Sequence, residues 1–212
     1  MATRPATRRP GWSGPLAVVL VFAGLFATGA GLGLSASPLS WPDWFADNEP
    51  PPRAFPVLEP SPPTRLRIPA LKVRAKIHGL GLAGDGTIAV PPLSRHEEAG
   101  WYSGGPSPGQ FGPAIIVGHA DTRDGPSVFH SLRKLRPGQT VEVTRRDRRV
   151  AVFRVNSVER FNKSRVPADR VYGDYRRPGL RLITCGGRWL GSGPGYADNV
   201  VVFASLVEAR GA

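Results

Sequence analysis

Short runs of alternating apolar and polar residues follow one another from residue 65 to the end of the chain, with glycine, proline, aspartate or asparagine between them. A period of two residues is typical of β-strands with one buried face. Eight segments fit this pattern: 65–69, 74–80, 87–91, 114–119, 140–145, 149–161, 180–185 and 199–207. They predict an all-β domain over residues 65–212, an eight-stranded barrel that is closed or nearly closed, because closure removes unpaired strand edges.

The same part of the chain leaves little room for helices. Only residues 127–135, with the sequence SVFHSLRKL, repeat apolar residues at helical spacing, at Val128, Leu132 and Leu135. We therefore expect one or two short helices beside the strands.

The first residues have a different pattern. Residues 16–34 form an apolar stretch of 19 residues without a charge, and as a helix they would span about 28 Å, close to a bilayer core of about 30 Å. The basic residues Arg4, Arg8 and Arg9 precede this stretch. They predict a cytoplasmic tail over residues 1–15, a single transmembrane anchor over 16–34 and an extracytoplasmic remainder. A cleaved signal peptide, ending near the small residues at 35–37, is the alternative.

Residues 35–64 are rich in proline and favour a semi-rigid stalk. The charge is concentrated beyond it, because residues 1–64 carry four arginines and four acidic residues, so the net charge of +12 lies on residues 65–212. Such a domain attracts polyanions. Its expected position outside the cytoplasm favours cell-wall polymers and argues against nucleic acid as a partner.

The chain has one cysteine, Cys185, at the end of the segment RLITC and directly before Gly186 and Gly187. A lone thiol is either a small buried apolar group or a nucleophile that needs a base. Among four histidines, His119 matches it best, because it also ends a predicted strand, PAIIVGH, and begins a loop. Two reactive side chains at strand ends suggest a site held by rigid elements.

Three passages carry a resemblance: IIVGHADTRDGPSVFHSL, then LRLITCGG, then YADNVVVFA. Together they resemble the sortase family of Gram-positive transpeptidases, most closely the class E/F type of high-GC actinobacteria. The resemblance covers residues 65–207 and implies the sortase β-barrel. It implies that Cys185 attacks an LPXTG-like sorting signal to form a thioester, with His119 as general acid/base. An amine of a cell-wall precursor or a pilin then accepts the acyl group, without a cofactor or metal.

One position departs from the family pattern. The family has an arginine before the last apolar strand, whereas this chain has Asp198 and Asn199 there. Asn199 could donate a hydrogen bond to an oxyanion, and Arg188, three residues after the cysteine, is an equal candidate. Arg181, four residues before the cysteine, also stays open for this role.

Two other functions compete with this interpretation. An L,D-transpeptidase would carry a histidine two residues before its cysteine, where this chain has Ile183. A tethered wall-binding module without catalysis would bury Cys185 as an inert thiol. Asp121 and Asp124 are more typical of turn chemistry than of a calcium site, which needs more oxygen ligands. We expect a monomer, and the sequence leaves the sorting motif and the acceptor amine open.

Overall fold

The computed structural model describes residues 55–191 and 195–212. The predicted cytoplasmic tail, the anchor at 16–34 and most of the predicted stalk lie outside the described residues. Within the described ranges, no helix has the length and apolar character needed to cross a bilayer.

The described residues form ten strands and one short α-helix, with several single 3₁₀ turns between them. The strands are β1 (Pro63–Ile68), β2 (Val73–Leu80), β3 (Ala99–Tyr102), β4 (Gly112–Val117), β5 (Asp121–Thr122), β6 (Gly125–Pro126), β7 (Thr140–Arg145), β8 (Arg149–Asn162), β9 (Pro178–Trp189) and β10 (Tyr196–Gly211), and the helix is α1 (Ala168–Tyr172).

Eight of these strands close into a barrel in the order β1-β2-β3-β4-β9-β10-β8-β7, and β5 and β6 form a separate hairpin. Strand β7 pairs with β1 and completes the ring. Two neighbouring pairs are parallel, β2 with β3 and β4 with β9. The all-β, eight-stranded barrel expected from the alternating segments is therefore confirmed.

One predicted strand is wrong. Residues 87–91 form no strand, and only Ile88 makes an isolated bridge, to Leu82. Two prolines, Pro91 and Pro92, follow and cannot donate hydrogen bonds to a ladder. The eighth barrel strand is β3, whose four residues are too short to show a period.

The predicted helix at 127–135 is also wrong, because the segment contains only a 3₁₀ turn at Leu132–Lys134. Its apolar residues Val128, Leu132 and Leu135 are nevertheless buried in the core, as their spacing suggested. The α-helix lies instead at Ala168–Tyr172, between β8 and β9.

Strands β4, β9 and β10 bury both of their faces. Leu180 and Leu182 of β9 belong to the core inside the barrel. The alternate residue Ile183 packs on the outside against Val117 and Val201, and Val171 of α1 joins that cluster. This second apolar cluster defines an outer face of the barrel, on which the side chains of β4, β9 and β10 meet.

A buried arginine ties the segment before β1 to the barrel. The side chain of Arg145, at the end of β7, is fully buried and donates to the backbone carbonyls of Glu59 and Pro108. It also donates to the carboxylate of Asp147, with Nη2 and Oδ2 2.7 Å apart. This hydrogen bond holds the pKa of Asp147 below its ordinary value.

Candidate active site

The parallel pairing of β4 with β9 brings the two predicted reactive residues to the same end of the barrel. Val117 is paired with Ile183, and beyond it the backbone N–H of Gly118 donates to the carbonyl of Ile183 at 3.1 Å. The Thr184 hydroxyl donates to the carbonyl of Gly118 at 2.7 Å. His119 and Cys185 each lie two residues beyond the Val117–Ile183 pair, and alternation directs both toward the outer face.

His119 and Cys185 line the same open cavity, of about 480 Å³. Trp189 and Tyr196, whose rings contact each other edge to face, form part of its wall. Two cationic side chains, Arg123 and Lys163, also line it. Cys185 is only partly buried, which is the exposure that a nucleophile needs and an inert core thiol lacks.

A backbone carbonyl orients the imidazole of His119. The Nε2 atom lies 2.6 Å from the carbonyl oxygen of Pro91. Because a carbonyl only accepts, Nε2 must carry a hydrogen in this arrangement. Nδ1 is then the nitrogen that can gain or lose a proton during a reaction.

The two glycines after the cysteine are required by their surroundings. Gly187 has a φ of +80°, and a Cβ there would lie 2.2 Å from a carboxylate oxygen of Asp198. A Cβ on Gly186 would lie 2.8 Å from a methyl of Val200. Larger residues would therefore displace β10 at its start, next to the thiol.

The two candidates for oxyanion stabilisation differ in position. Asn199 on β10 is paired directly with Cys185 on β9, so the two side chains share the outer face. Arg188 is exposed, and neither Asn199 nor Arg188 is among the described residues that line the two cavities beside Cys185. The structure therefore brings Asn199 beside Cys185 and leaves Arg188 in solvent. Arg181 lines a different cavity, described below.

A second cavity, of about 540 Å³, reaches Cys185 from the end of the barrel. Its described lining includes the cations Arg133 and Arg160. Arg160 forms an ion pair with Asp198 at 3.3 Å. The acids Asp121 and Glu159 line the same cavity. The two cations were not expected from the sequence because they come from segments 25 or more residues away from Cys185.

The two aspartates of the loop after His119 serve the loop rather than the imidazole. Asp121 accepts a hydrogen bond from the hydroxyl of Tyr196 at 2.5 Å. This bond, more than partial burial, raises the pKa of Tyr196 above its ordinary value. The exposed Asp124 lies in the turn between β5 and β6, where its backbone N–H donates to Thr122. The described residues contain no group of three or more histidine, cysteine or acidic side chains able to hold a metal ion.

Tyr196 is the site residue that the sequence analysis missed. It contacts the ring of Trp189 and binds Asp121, so it joins the start of β10 to the loop after His119. Its position three residues before Asn199 was visible in the motif YADN, but tyrosine at a strand start carries no specific signal. Two tryptophans differ in position: Trp189 is 58% exposed in the cavity wall, whereas Trp101 is buried in the core.

The protein is a closed β-barrel that carries a cysteine and a histidine at the ends of two adjacent parallel strands. It therefore belongs among β-barrel proteins with a candidate cysteine–histidine active site. Residues 66–207 match the model of the sortase domain. The match covers more than half of the chain, and the chain therefore belongs to the sortase family.

Solved structures agree on the fold. The SrtA sortase from Actinomyces oris is 21% identical and aligns over 76% of this chain and 89% of that chain, with a TM-score of 0.55. A pilus-related sortase C of group B Streptococcus is 13% identical over 72% of this chain and 70% of its own, with a TM-score of 0.54.

Sortase C of Streptococcus pneumoniae is 16% identical, covers 68% of this chain and has a TM-score of 0.53. The alignment spans 65% of the pneumococcal chain, slightly less than two thirds of its length. A search of curated proteins found no match to this sequence.

Proposed function

We propose that this chain is a membrane-anchored cysteine transpeptidase that cleaves an LPXTG-like sorting signal and transfers the acyl group to an amine. The observation that carries the proposal is the placement of Cys185 and His119 on one open cavity at the ends of β4 and β9. Membership of the sortase family supports the same reaction.

The proposed reaction has two steps. The Cys185 thiol passes its proton to His119, and the resulting thiolate attacks the threonine carbonyl of the sorting signal, so that the carbon–nitrogen bond breaks to give a thioester. The departing amine takes a proton from His119, through Nδ1 if Nε2 keeps its hydrogen bond to Pro91. The acceptor amine then attacks the thioester, His119 takes its proton, and a new amide forms while the thiolate is released.

We infer that Asn199 stabilises the tetrahedral oxyanion in preference to Arg188. The direct pairing of Asn199 with Cys185 supports this role, because a side-chain amide on the same face can donate to an oxygen near the thiol. Arg188 would need to swing in from solvent. Removal of one such donor lowers kcat by about 10²–10³-fold in other acyl-transfer enzymes.

The class E/F assignment, the sorting motif and the acceptor belong to the same proposal. The motif resemblance in residues 115–132 and 180–187 supports the class. The pneumococcal relative is described in terms of pilin substrate specificity. We therefore propose two alternative acceptors, a pilin lysine and an amine of a wall precursor. A single-pass anchor at 16–34 would hold a monomeric domain outside the cell membrane.

The decisive test incubates the full chain, purified in mild detergent because of its apolar segment, with an LPXTG-type peptide and a glycine amine. Mass spectrometry follows the thioester on Cys185 and the new amide product. We expect both species in wild type, and neither in Cys185→Ala. We expect His119→Ala to lose at least about 10²-fold in rate, the usual contribution of general acid–base catalysis.

His78→Ala is the matched control, because His78 lies on β2 and is hydrogen-bonded to Glu98, outside both cavities beside Cys185. It should react like wild type. Absence of any adduct over a varied set of peptides, with Cys185 also resistant to alkylation, would instead favour the non-catalytic wall-binding module.

A further inference from the structure

A third cavity, of about 590 Å³, lies on the barrel surface between α1, the loop that follows it, and strands β8, β9 and β10. No described residue of its wall also lines either cavity beside Cys185. Arg181, on its wall, precedes Cys185 by four residues on the same face of β9, about 13 Å away at about 3.3 Å per residue. The cavity is therefore separate from the candidate active site but close to it.

The described wall of this cavity is strongly basic. It contains four arginines and two aspartates, namely Arg170, Arg176, Arg177, Arg181, Asp169 and Asp174, which leaves a net charge of +2. Arg176 is paired with Asp174 at 3.0 Å, and Arg170 is paired with Glu159. The hydrogen bonds of Arg177 and Arg181 go to backbone carbonyls, so neither has a carboxylate bound to its guanidinium.

Arg181 is the most unusual of these side chains, because it is only 6% exposed. Its Nη atoms make long hydrogen bonds of 3.3 and 3.4 Å to the carbonyls of Leu180 and Arg170. Its Nε atom is buried without any acceptor. Burial lowers the pKa of Arg181, with Asp174 opposing and Arg170 adding to the shift, but an arginine remains charged near neutral pH.

The surroundings hold this charge in place without neutralising it. The guanidinium carbon of Arg181 lies 4.7 Å from the centre of the Phe203 ring, and that of Arg170 lies 4.9 Å from the same ring. The Nε of Arg177 is also buried without an acceptor. Buried polar groups in proteins are normally satisfied, so two unsatisfied guanidinium nitrogens on one basic cavity call for a ligand.

We propose that this cavity binds a phosphate group, with Arg181 and Arg177 as its principal ligands. A phosphate offers several oxygens to the planar donor forks of arginine, and its charge complements the excess of the wall. The rim adds polar groups that suit the remaining oxygens, from Asn156, Ser157 and Ser205. The cavity is larger than inorganic phosphate, so a phosphomonoester or phosphodiester with a small substituent fits its size.

The test uses the full chain in a zwitterionic detergent and titrates inorganic phosphate at constant ionic strength, followed by calorimetry and by thermal unfolding. We expect saturable binding and a rise in the unfolding temperature in wild type. Arg181→Gln should weaken phosphate binding at least about tenfold, the effect of losing one charge-assisted donor set.

Arg65→Gln is the matched control, since it removes the same charge from an exposed site on β1 that lines none of the three cavities. It should bind phosphate like wild type. Equal weakening of phosphate binding by both variants would overturn the proposal, because the loss would then follow from the lower net charge alone. A lack of saturable binding in wild type would also overturn it. If Arg181→Gln does not fold, Arg177→Gln serves in its place and should weaken binding by a similar factor.

Three further probes define the ligand. Malonate that binds as tightly as phosphate would overturn the assignment of a phosphate in favour of a carboxylate. Tight binding of sn-glycerol 3-phosphate supports a wall-polymer source. Preference for dihexanoyl phosphatidylglycerol over both glycerol 3-phosphate and dihexanoyl phosphatidylcholine supports a lipid headgroup as the source of the same phosphate.

Discussion

Arg145 and Arg181 are both buried arginines at the barrel wall, but their surroundings differ. Each nitrogen of the Arg145 guanidinium has an acceptor, and the carboxylate of Asp147 supplies the opposite charge. Arg181 has two long bonds to carbonyls, a nitrogen without a partner and an aromatic ring beneath it. One arginine joins two segments of the fold, whereas the other holds a charge on a cavity without a carboxylate bound to it.

The difference shows that burial alone does not reveal the role of an arginine. A buried charge that is fully hydrogen-bonded and paired serves the fold, and removing one partner is costly. A buried charge that lacks acceptors destabilises the fold, because its lost hydration is not replaced, and it retains its capacity to bind an anion. The following predictions test this contrast.

The largest effect should come from Arg145→Leu. The substitution leaves the carboxylate of Asp147 and the carbonyls of Glu59 and Pro108 without their donor. We expect the free energy of unfolding to fall by about 3–5 kcal/mol, as for other broken buried pairs. Urea unfolding of the full chain in detergent measures this free energy. A loss below about 1 kcal/mol would show that Arg145 is not an important contributor to the stability of the fold.

Asp147→Asn should have a smaller effect that depends on pH. The pKa of Asp147 is lowered in the folded chain, so its contribution is complete above the ordinary value near 3.8 and is lost as pH falls through the folded pKa. We expect a loss of about 1 kcal/mol at neutral pH, limited because a third of the side chain is exposed. The difference from wild type should disappear in acid, and a difference that persists there would contradict the assignment.

Arg181→Leu should change the free energy of unfolding less than Arg145→Leu or Asp147→Asn does, although Arg181 is buried to a similar extent as Arg145. No carboxylate loses a bound partner, and an apolar side chain of moderate size packs well against Phe203. We expect the free energy of unfolding to stay within about 1 kcal/mol of wild type or to rise, because apolar replacements of poorly compensated buried charges often stabilise. A loss as large as that of Arg145→Leu would show that the two arginines have the same role.

The smallest effect should come from Asn156→Asp, which offers Arg181 a carboxylate like the one that Arg145 already has. Asn156 is exposed on the rim of the same cavity and bonded to Ser205 at 2.7 Å. We expect a gain of a few tenths of a kcal/mol together with weaker phosphate binding, since the new carboxylate competes for the arginines. If calorimetry shows that Asn156→Asp binds phosphate as tightly as wild type, the phosphate binds outside this cavity.

The sequence predicted seven of the eight barrel strands because their side chains alternate between two environments along the chain. It failed at β3, whose four residues pair in parallel with β2, since so short a strand shows no period of its own. It placed a strand at 87–91 because alternation does not reveal that Pro91 and Pro92 cannot donate hydrogen bonds to a ladder.

For the candidate site, the sequence by itself identified Cys185 and His119, because each ends an apolar strand and few residues can supply thiol and imidazole chemistry. Only the tertiary structure showed that Asn199 is paired directly with Cys185, since cross-strand register decides which residues lie opposite each other. It alone showed Tyr196 with Asp121, and the cations Arg160 and Lys163, around the cysteine. The basic cavity of Arg181 likewise depends on contacts between β8, α1, β9 and β10, which follow one another in the sequence but face one common cavity only in the folded barrel.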